Sequence, residues 1–286
     1  MSKNVIITGT STGVGLEAAL DFARKGYKVY ATMRNLSKAG SLKEQAAAED
    51  LSIELLELDV TSPESIEQAV TTVLAQDGRI DILVNNAGAG FAKTTEQATL
   101  EEIKWVTEVN YHGVVYCTKA VLPYMRKQRS GHIISISSVG GLVGQPFNEL
   151  YCAAKFAVEG YMEALATYVG TGFGIKFSTV EPGGISTEFM NSAVAKTMVE
   201  GEFATGEYKP LFERYMASSQ RRAASGGASV YQTADEVAAV IINVAGQENP
   251  PLRIRTSEWA EAFTKLKTTA DPDGTQLVAQ VVKDFL

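Results

Sequence analysis

Short apolar runs and longer segments with helical spacing alternate along this 286-residue chain. The runs are rich in β-branched residues, as in Val5-Ile6-Ile7, and they predict buried strands at 5–7, 28–33, 52–57, 82–85, 132–137, 176–181 and 252–255. Apolar residues three and four apart predict helices at 16–25, 38–49, 62–76, 99–129, 149–167 and 233–245. The alternation predicts βαβ units and an α/β fold: a doubly wound parallel sheet of about seven strands, covered on both faces.

One segment, 188–229, interrupts this pattern and shows no convincing strand. Its large apolar residues are Phe189, Met190, Met198, Phe203, Tyr208, Phe212, Tyr215 and Met216. A long insertion at the carboxyl edge of a parallel sheet is usually functional, whereas a helical pair with its own small core is an equally weighted alternative. We predict a single domain, 1–286, with 188–229 as a helical cap insertion.

Composition limits the functions that this chain can have. A net charge of −7 and the lack of any Lys/Arg-rich run argue against a nucleic-acid surface. No stretch of about 18 apolar residues and no signal-peptide pattern is found, so we expect a soluble cytoplasmic protein that does not bind membranes. Two cysteines and two histidines do not supply a disulfide framework or a metal site.

A glycine-rich turn directly follows the first predicted strand. It reads Thr8-Gly9-Thr10-Ser11-Thr12-Gly13-Val14-Gly15 and leads into a helical pattern. Strand, glycine turn and helix form the usual context of a phosphate site, because glycines admit a pyrophosphate and the helix offers free N–H groups. The spacing is neither Gly-x-Gly-x-x-Gly nor a P-loop, and a tight turn without a ligand is the alternative.

A second candidate site centres on Tyr151. Lys155 follows it by four residues, about one helical turn, and Ser138 ends the apolar stretch upstream. An ammonium beside a phenol favours loss of the phenol proton, and a nearby hydroxyl polarises the same substrate oxygen. Tyr-x-x-x-Lys arises easily by chance among 11 tyrosines, so the glycine turn is what gives the pattern weight.

Together these motifs resemble the short-chain dehydrogenases/reductases, in their single-domain branch. The matching residues come in the family's order over the chain to about Ala245. They are Thr8-Gly9-x-x-x-Gly13-x-Gly15, Asp59, Asn85-Asn86-Ala87-Gly88, Asn110, Ser138, Tyr151-x-x-x-Lys155 and Pro182-Gly183-Gly184-Ile185-Ser186-Thr187. The stretch 29–34 and the long cap further resemble hydroxysteroid-dehydrogenase-like and carbonyl-reductase members.

The resemblance implies a role for each residue of a dinucleotide-binding catalytic domain. The implied cofactor contacts are Gly9, Ser11, Thr12, Gly13, Val14 and Gly15 at the pyrophosphate, Asp59 and Val60 at the adenine, Asn86, Ala87 and Gly88 at the ribose, Pro182, Gly183, Ile185 and Thr187 at the nicotinamide, and Tyr151 with Lys155. It also implies that Lys155 depresses the pKa of Tyr151 and that Asn110 anchors a water beside Lys155. Substrate would meet Ser138, Tyr151, Phe189 and Phe212.

The end of the second strand predicts which nicotinamide cofactor is bound. NAD-binding folds usually place an acid there, but here the position reads Met33-Arg34. An arginine suits the 2′-phosphate of NADP(H). A second basic residue that NADP-binding members often carry is replaced by Thr12. A solvated loop cation is the alternative for Arg34.

These observations favour an NADP(H)-dependent oxidoreductase, a carbonyl or keto reductase, that acts on a small-molecule ketone or secondary alcohol. Two alternatives are an NAD-dependent alcohol dehydrogenase and a non-catalytic regulator that senses dinucleotide. A pure sensor has no use for Ser138, Tyr151 and Lys155 together. The family commonly buries the helices at 99–129 and 149–167 between subunits, so we expect a homodimer or homotetramer.

Overall fold

The computed structural model describes residues 2–186, 206–224 and 231–286, with side chains of the second range to 218. The strands are β1 (Asn4–Thr8), β2 (Lys28–Met33), β3 (Ile53–Glu57), β4 (Ile82–Asn85), β5 (Gly131–Ile136), β6 (Ile175–Glu181), β7 (Gly184–Ile185), β8 (Tyr231–Gln232) and β9 (Arg253–Arg255). The helices are α1 (Gly13–Arg24), α2 (Gly40–Ala48), α3 (Pro63–Asp77), α4 (Leu100–Thr107), α5 (Gly113–Gln128), α6 (Glu149–Leu165), α7 (Thr171–Phe173), α8 (Lys209–Ala224), α9 (Ala234–Gly246), α10 (Glu258–Thr268) and α11 (Thr275–Phe285).

Seven strands form one sheet in the order β3-β2-β1-β4-β5-β6-β9, and every neighbouring pair is parallel. The chain winds outward in one direction from β1 and in the other from β4. The carboxyl ends of these two strands therefore flank the switch point, where such sheets bind ligands. The predicted doubly wound sheet is confirmed.

Both faces of the sheet are buried under helices. One core joins α1, α2 and α9 to the sheet, with Leu20 and Phe22 of α1 and Val237 of α9 among its buried residues. The other core joins α3, α5 and α6, with Val70 and Val158 among its buried residues. Burial on both faces explains why β1 reads as a continuous apolar run and not as an alternating one.

The predicted helix at 99–129 is interrupted where Asn110 lies. The chain forms α4, then a π-helical segment, Glu108–His112, and then α5. Asn110 Nδ2 donates to the Val106 carbonyl, which a regular α-helix would pair with the Asn110 N–H. This side-chain bond competes with the backbone ladder and accounts for the wider turn.

The C-terminal part contains two helices that the sequence analysis did not assign, α10 and α11. Ser257 caps α10, since its side chain accepts a hydrogen bond from the Ala260 N–H. The sequence does contain a signal for α10. Ser257 is followed by Glu258, and the apolar residues Trp259, Phe263 and Leu266 lie at helical spacing. Within the described ranges, no helix is both long enough and apolar enough to cross a membrane.

Candidate active site

The glycine-rich turn packs tightly against the loop that follows β4. Gly9 has φ +74°, and a Cβ atom there would lie 2.9 Å from the Ala87 Cα. A Cβ atom on Gly15 would lie 2.3 Å from the Gly9 carbonyl oxygen and 2.4 Å from Asn86 Nδ2. Neither position has room for a side chain, so the turn requires glycine at both.

Hydrogen bonds hold the same two segments together. Asn86 Nδ2 donates to the carbonyl oxygens of Thr8 and Gly9, at 2.8 and 3.0 Å. The Thr8 hydroxyl accepts from the N–H groups of Asn86 and Ala87, both at 3.0 Å. We call the turn 8–15 with the loop 86–88 the nucleotide cradle. Its shape is fixed by backbone and amide groups that carry no charge.

The start of α1 fits the pyrophosphate of a dinucleotide. This 12-residue helix begins at Gly13, its N-cap Thr12 makes no side-chain cap bond, and its first turn carries no acid. The side chain of Thr12 therefore does not cap the first N–H groups of α1. These groups lie at the carboxyl edge of the sheet. Ser11 and Val14 complete the predicted turn, and Val14 is buried.

Arg34 and Asp59 lie beside the cradle at the ends of neighbouring strands. Thr32 of β2 accepts hydrogen bonds from the Gly9 and Thr10 N–H groups, which places the exposed Arg34 next to the turn. Arg34 forms no ion pair or hydrogen bond with the residues that the structure describes. Asp59 Oδ1 accepts from the Thr61 N–H at 2.9 Å, and Val60 is buried.

Ser138, Tyr151 and Lys155 meet beyond the carboxyl end of β5. Ser138 Oγ accepts from the Gly140 N–H at 3.0 Å. A Cβ atom on Gly140 would lie 3.4 Å from Ser138 Oγ and 3.5 Å from Tyr151 Cε1, so the two side chains are neighbours. Lys155 is buried, its Nζ donates to the Ile136 carbonyl at 2.8 Å, and it lies 5.8 Å from the centre of the Tyr151 ring. The sequence motif is therefore a spatial cluster, which we call the catalytic cluster.

Burial moves the two titratable groups of this cluster in opposite directions. It raises the pKa of Tyr151 to about 12, although the hydrogen bond from Ser138 opposes the change. It lowers the pKa of Lys155 to about 8, against the attraction of Glu159. The net shift of the Tyr151 pKa is upward with burial as its largest cause, so the expected depression by Lys155 is not seen. At neutral pH Tyr151 keeps its proton and is able to donate it.

Asn110 connects the cluster to the cradle loop. It is fully buried, and its amide accepts from the Ala89 N–H at 3.0 Å and donates to the Ala89 carbonyl at 2.9 Å. A Cβ atom on Gly88 would lie 3.0 Å from Asn110 Oδ1 and 3.7 Å from Lys155 Nζ. Asn110 therefore fixes the loop beside Lys155; its predicted water contact remains a prediction.

The predicted nicotinamide and substrate contacts are described only in part. The Pro182 carbonyl accepts from the Val139 N–H at 2.9 Å, so Pro182 and Gly183 lie next to the Ser138 loop. Ile185 pairs with Gln232 in the short β7–β8 ladder. Thr187, Phe189 and Met190 lie outside the described residues.

Phe212 of α8 contacts an aromatic residue that the sequence analysis did not single out. Its ring centre lies 5.1 Å from that of Phe147, and Tyr215 lies 5.6 Å from Phe147. Phe147 has φ +63°, which is unusual for a bulky residue, and it precedes Tyr151 by four positions. These aromatic residues place α8 next to the segment that leads into the catalytic helix.

A dinucleotide cradle at the switch point, next to a tyrosine–lysine–serine cluster, defines a nicotinamide-dependent oxidoreductase. Residues 3–198 match the sequence model of the short chain dehydrogenase family. The chain belongs to this family, and it transfers hydride between a nicotinamide dinucleotide and a ketone or secondary alcohol.

Two similar proteins and one solved structure illustrate the relationship. Retinol dehydrogenase 8 of Bos taurus is 40% identical over 284 residues, which cover 96% of this chain and 88% of the relative. 17-beta-hydroxysteroid dehydrogenase type 1 of Mus musculus is 35% identical over 281 residues, 96% of this chain and 79% of the relative. An actinorhodin polyketide ketoreductase solved with NADPH has a TM-score of 0.72 and 28% identity, over 86% of this chain and 90% of that one.

Proposed function

We propose that this protein is an NADP(H)-dependent carbonyl reductase in which Tyr151 is the general acid and base. The observation that carries the proposal is the catalytic cluster itself. Tyr151 lies next to Ser138. The Nζ atom of the buried Lys155 lies 5.8 Å from the centre of the Tyr151 ring and close to Gly88 of the cradle. A structural role alone does not require a buried ammonium at this position, because burying a charge is costly.

The reaction divides between the cofactor and the protein. The reduced nicotinamide supplies the hydride, and the side chains orient the carbonyl and move one proton. Ser138 donates a hydrogen bond to the carbonyl oxygen, on which negative charge develops. Tyr151, protonated at neutral pH, transfers its proton to that oxygen. The Lys155 ammonium then stabilises the phenolate that Tyr151 becomes.

The proposed preference for NADP(H) rests on Arg34. It is exposed beside the cradle, it has no carboxylate partner among the described residues, and the last residue of β2 is Met33 rather than an acid. A guanidinium at this position can form a charge-assisted contact with a 2′-phosphate, whereas a 2′-hydroxyl carries no negative charge to pair with it. The related ketoreductase structure holds NADPH, which supports the same choice. Asp59 and Val60 would face the adenine.

The proposed substrates are bulky, apolar ketones or alcohols. Phe147, Phe212 and Tyr215 form an aromatic group next to the catalytic helix, and the names of two relatives include a retinoid and a hydroxysteroid. We propose that the cap at 188–229 closes over such a substrate. In the described part of this segment, Phe212 contacts Phe147 and the Tyr208 hydroxyl donates to Glu96 Oε2 at 2.6 Å, and these contacts join it to the rest of the domain.

Oligomeric state and location are separate proposals. We infer a homodimer or homotetramer through α5 and α6, whose outer faces expose Tyr124 and Phe156. Lys267 of α10 lies 5.8 Å from the centre of the Phe156 ring, so the C-terminal part covers some of that face. Sedimentation equilibrium tests the first proposal, and fractionation of cells tests the expected cytoplasmic location.

A cofactor and substrate screen tests the proposed function. Purified protein is mixed with NADPH or NADH and with steroid ketones, retinal, aryl ketones, keto esters and diketones, and cofactor oxidation is followed. We expect turnover with NADPH and at least one bulky apolar ketone. Tight NADPH binding with no turnover of any substrate in either direction would instead favour the dinucleotide-sensing regulator.

A further inference from the structure

Two glutamates with buried carboxyl oxygens, Glu159 and Glu181, lie directly behind the catalytic cluster, and the proposed reaction uses neither. Glu159 is on α6, one helical turn beyond Lys155. Glu181 is the last residue of β6 and immediately precedes Pro182; it is 0% exposed. Among the described residues, Oε1 of each glutamate is buried without a hydrogen-bond partner, as is Oγ of Ser137. Buried oxygens without a donor are costly, so their grouping here requires an explanation.

The two carboxyl groups lie on the same side of β6. Glu181 is two residues beyond Thr179, so their side chains leave the same face of the strand, and Thr179 Oγ1 contacts Glu159 Oε2. Two ionised carboxylates cannot hydrogen-bond to each other, because each is only an acceptor. Thr179 Oγ1 lies 3.0 Å from Glu159 Oε2 and also 3.0 Å from the Leu252 carbonyl. Its single proton serves one of these acceptors at a time. A proton between the two glutamates would supply a donor that their Oε1 atoms lack, and it would also remove the repulsion between like charges.

The surrounding charges do not compensate two buried carboxylates. Arg255 Nη1 lies 3.3 Å from Glu181 Oε2, but its Nε lies 3.0 Å from Glu261 Oε1. Arg253 Nη2 lies 3.8 Å from Glu163 Oε2 and 3.6 Å from Asp271 Oδ2, and its charge also reaches Glu159. Two guanidinium groups and the Lys155 ammonium therefore face five carboxyl groups. The innermost pair is the one from which water is most excluded.

The remaining charge on the pair acts on Lys155. Burial raises the pKa of both glutamates above their ordinary range. Burial also lowers the pKa of Lys155, and Glu159 is the charge that opposes this effect. The other groups that face Lys155 are Tyr151 on the same helix, the Ile136 carbonyl of β5 and the uncharged Asn110. A negative charge on the pair is thus the main electrostatic support for the buried ammonium.

We propose that Glu159 and Glu181 share a single proton at neutral pH, and that the one negative charge left on the pair keeps Lys155 protonated. Glu159 is then a positioning residue that acts through Lys155. The second half of this inference rests on the proposed function, whereas the shared proton does not. The proton is assigned to the pair of glutamates and not to either residue alone.

Infrared spectroscopy tests the shared proton without any turnover. The difference spectrum between wild type and the Glu159→Gln/Glu181→Gln double variant at pH 7 should contain the C=O stretch of one protonated carboxyl group. The same band should be lost in either single variant, because the remaining glutamate then ionises. Thermal unfolding confirms that each variant is folded. A wild-type protein without the band, or either single variant with the band retained, would overturn the proposal.

The alkaline limb of the pH profile tests the effect on Lys155. In wild type we expect kcat/KM for carbonyl reduction to fall as Lys155 loses its proton, near its pKa of about 8. Glu181→Gln leaves a charge on Glu159, so the limb should stay in place. The double variant removes the charge, and the limb should move to lower pH by about one unit. Glu163→Gln, one turn further along α6, is the matched control and should not move it.

Two results would contradict this part of the inference. A double variant with an unmoved limb would mean that the pair has only a packing role. A limb that moves as far in Glu181→Gln as in the double variant would mean that the charges are independent. Failure of the proposed function is distinguishable from both: wild type would then show no carbonyl reduction, while the infrared band would still be present.

Discussion

The nucleotide cradle and the catalytic cluster lie side by side on one sheet edge but are built in different ways. In the cradle, backbone carbonyls and the amide of Asn86 hold two glycine positions in contact, and no ionisable group takes part. In the catalytic cluster, burial shifts the pKa of Tyr151 upward and that of Lys155 downward. Behind it lies a further pair of buried carboxyl groups.

The difference shows how binding and chemistry are separated in this fold. Under the proposed function, the cradle recognises its ligand by shape, so substitutions in it should lower affinity in a way that does not depend on pH. The proposed role of the cluster rests on charge in a buried region, where electrostatic interactions are stronger. Substitutions in the cluster should therefore change the rate and the pH profile. The following predictions test this division.

The largest expected effect comes from removing the buried charge. Lys155→Met keeps a long apolar side chain but deletes the ammonium that stabilises the Tyr151 phenolate. We expect kcat/KM for carbonyl reduction to fall by about 10³-fold. Lys104→Met, on the exposed face of α4, is the control and should change nothing. If the two variants are equally active, Lys155 has no part in catalysis.

A change of shape in the cradle should act on cofactor affinity alone. In Gly15→Ala the new Cβ would lie 2.3 Å from a backbone oxygen that has no freedom to move away. Overpacking of this kind costs about 1–3 kcal/mol, and we expect NADPH affinity to fall at least tenfold by calorimetry. Gly40→Ala, where a Cβ meets nothing within 4 Å, is the matched control. A shifted pH profile in Gly15→Ala would contradict the separation of the two regions.

Arg34 should select the cofactor with a smaller effect. Arg34→Ala removes a charge-assisted contact to the 2′-phosphate, so NADPH affinity should fall about tenfold while NADH affinity stays the same. NAD-binding folds usually place an acid at the end of this strand. An acid introduced here to favour NADH belongs at residue 34 and not at residue 33, because Met33 is buried in the core. Lys25→Ala, at the far end of α1, is the control. Wild-type protein that prefers NADH would show the cofactor assignment to be wrong.

The smallest effect is expected at the aromatic contact between α8 and Phe147. Phe212→Ala removes an edge-to-face ring pair, a contact that contributes about 0.5–1.5 kcal/mol. KM for a bulky ketone should rise a few-fold, with kcat and thermal stability nearly unchanged. Leu211→Ala, the exposed neighbour on the same helix, is the control. Equal KM values in the two variants would remove Phe212 from the substrate site.

The sequence predicted the sheet, and its motifs come together in the two regions, for a physical reason. Strands buried on both faces read as apolar runs, and the glycines at 9 and 15 are required by contacts that no other residue permits. Tyr151 and Lys155 are one helical turn apart, so local spacing was enough to place them together.

The features that the sequence did not predict depend on contacts between distant segments. Glu159 and Glu181 are separated by 22 positions and look like ordinary surface acids until α6 packs on β6. Asn110 also bonds to Ala89, 21 residues away, a contact that no local pattern specifies. The raised pKa of Tyr151 likewise reflects burial in the folded protein, which a Tyr-x-x-x-Lys pattern does not specify.

The most direct test of the central claim is the turnover of Tyr151→Phe, measured together with its NADPH affinity on the same preparation. The substitution deletes one hydroxyl group and leaves the ring and the cradle in place. The account predicts that kcat for ketone reduction falls at least ~100-fold, the low end for a positioned proton donor, with NADPH affinity unchanged. Tyr168→Phe, at an exposed tyrosine, should behave as wild type. A Tyr151→Phe protein that keeps more than about a tenth of wild-type turnover would contradict the assignment of Tyr151 as the general acid.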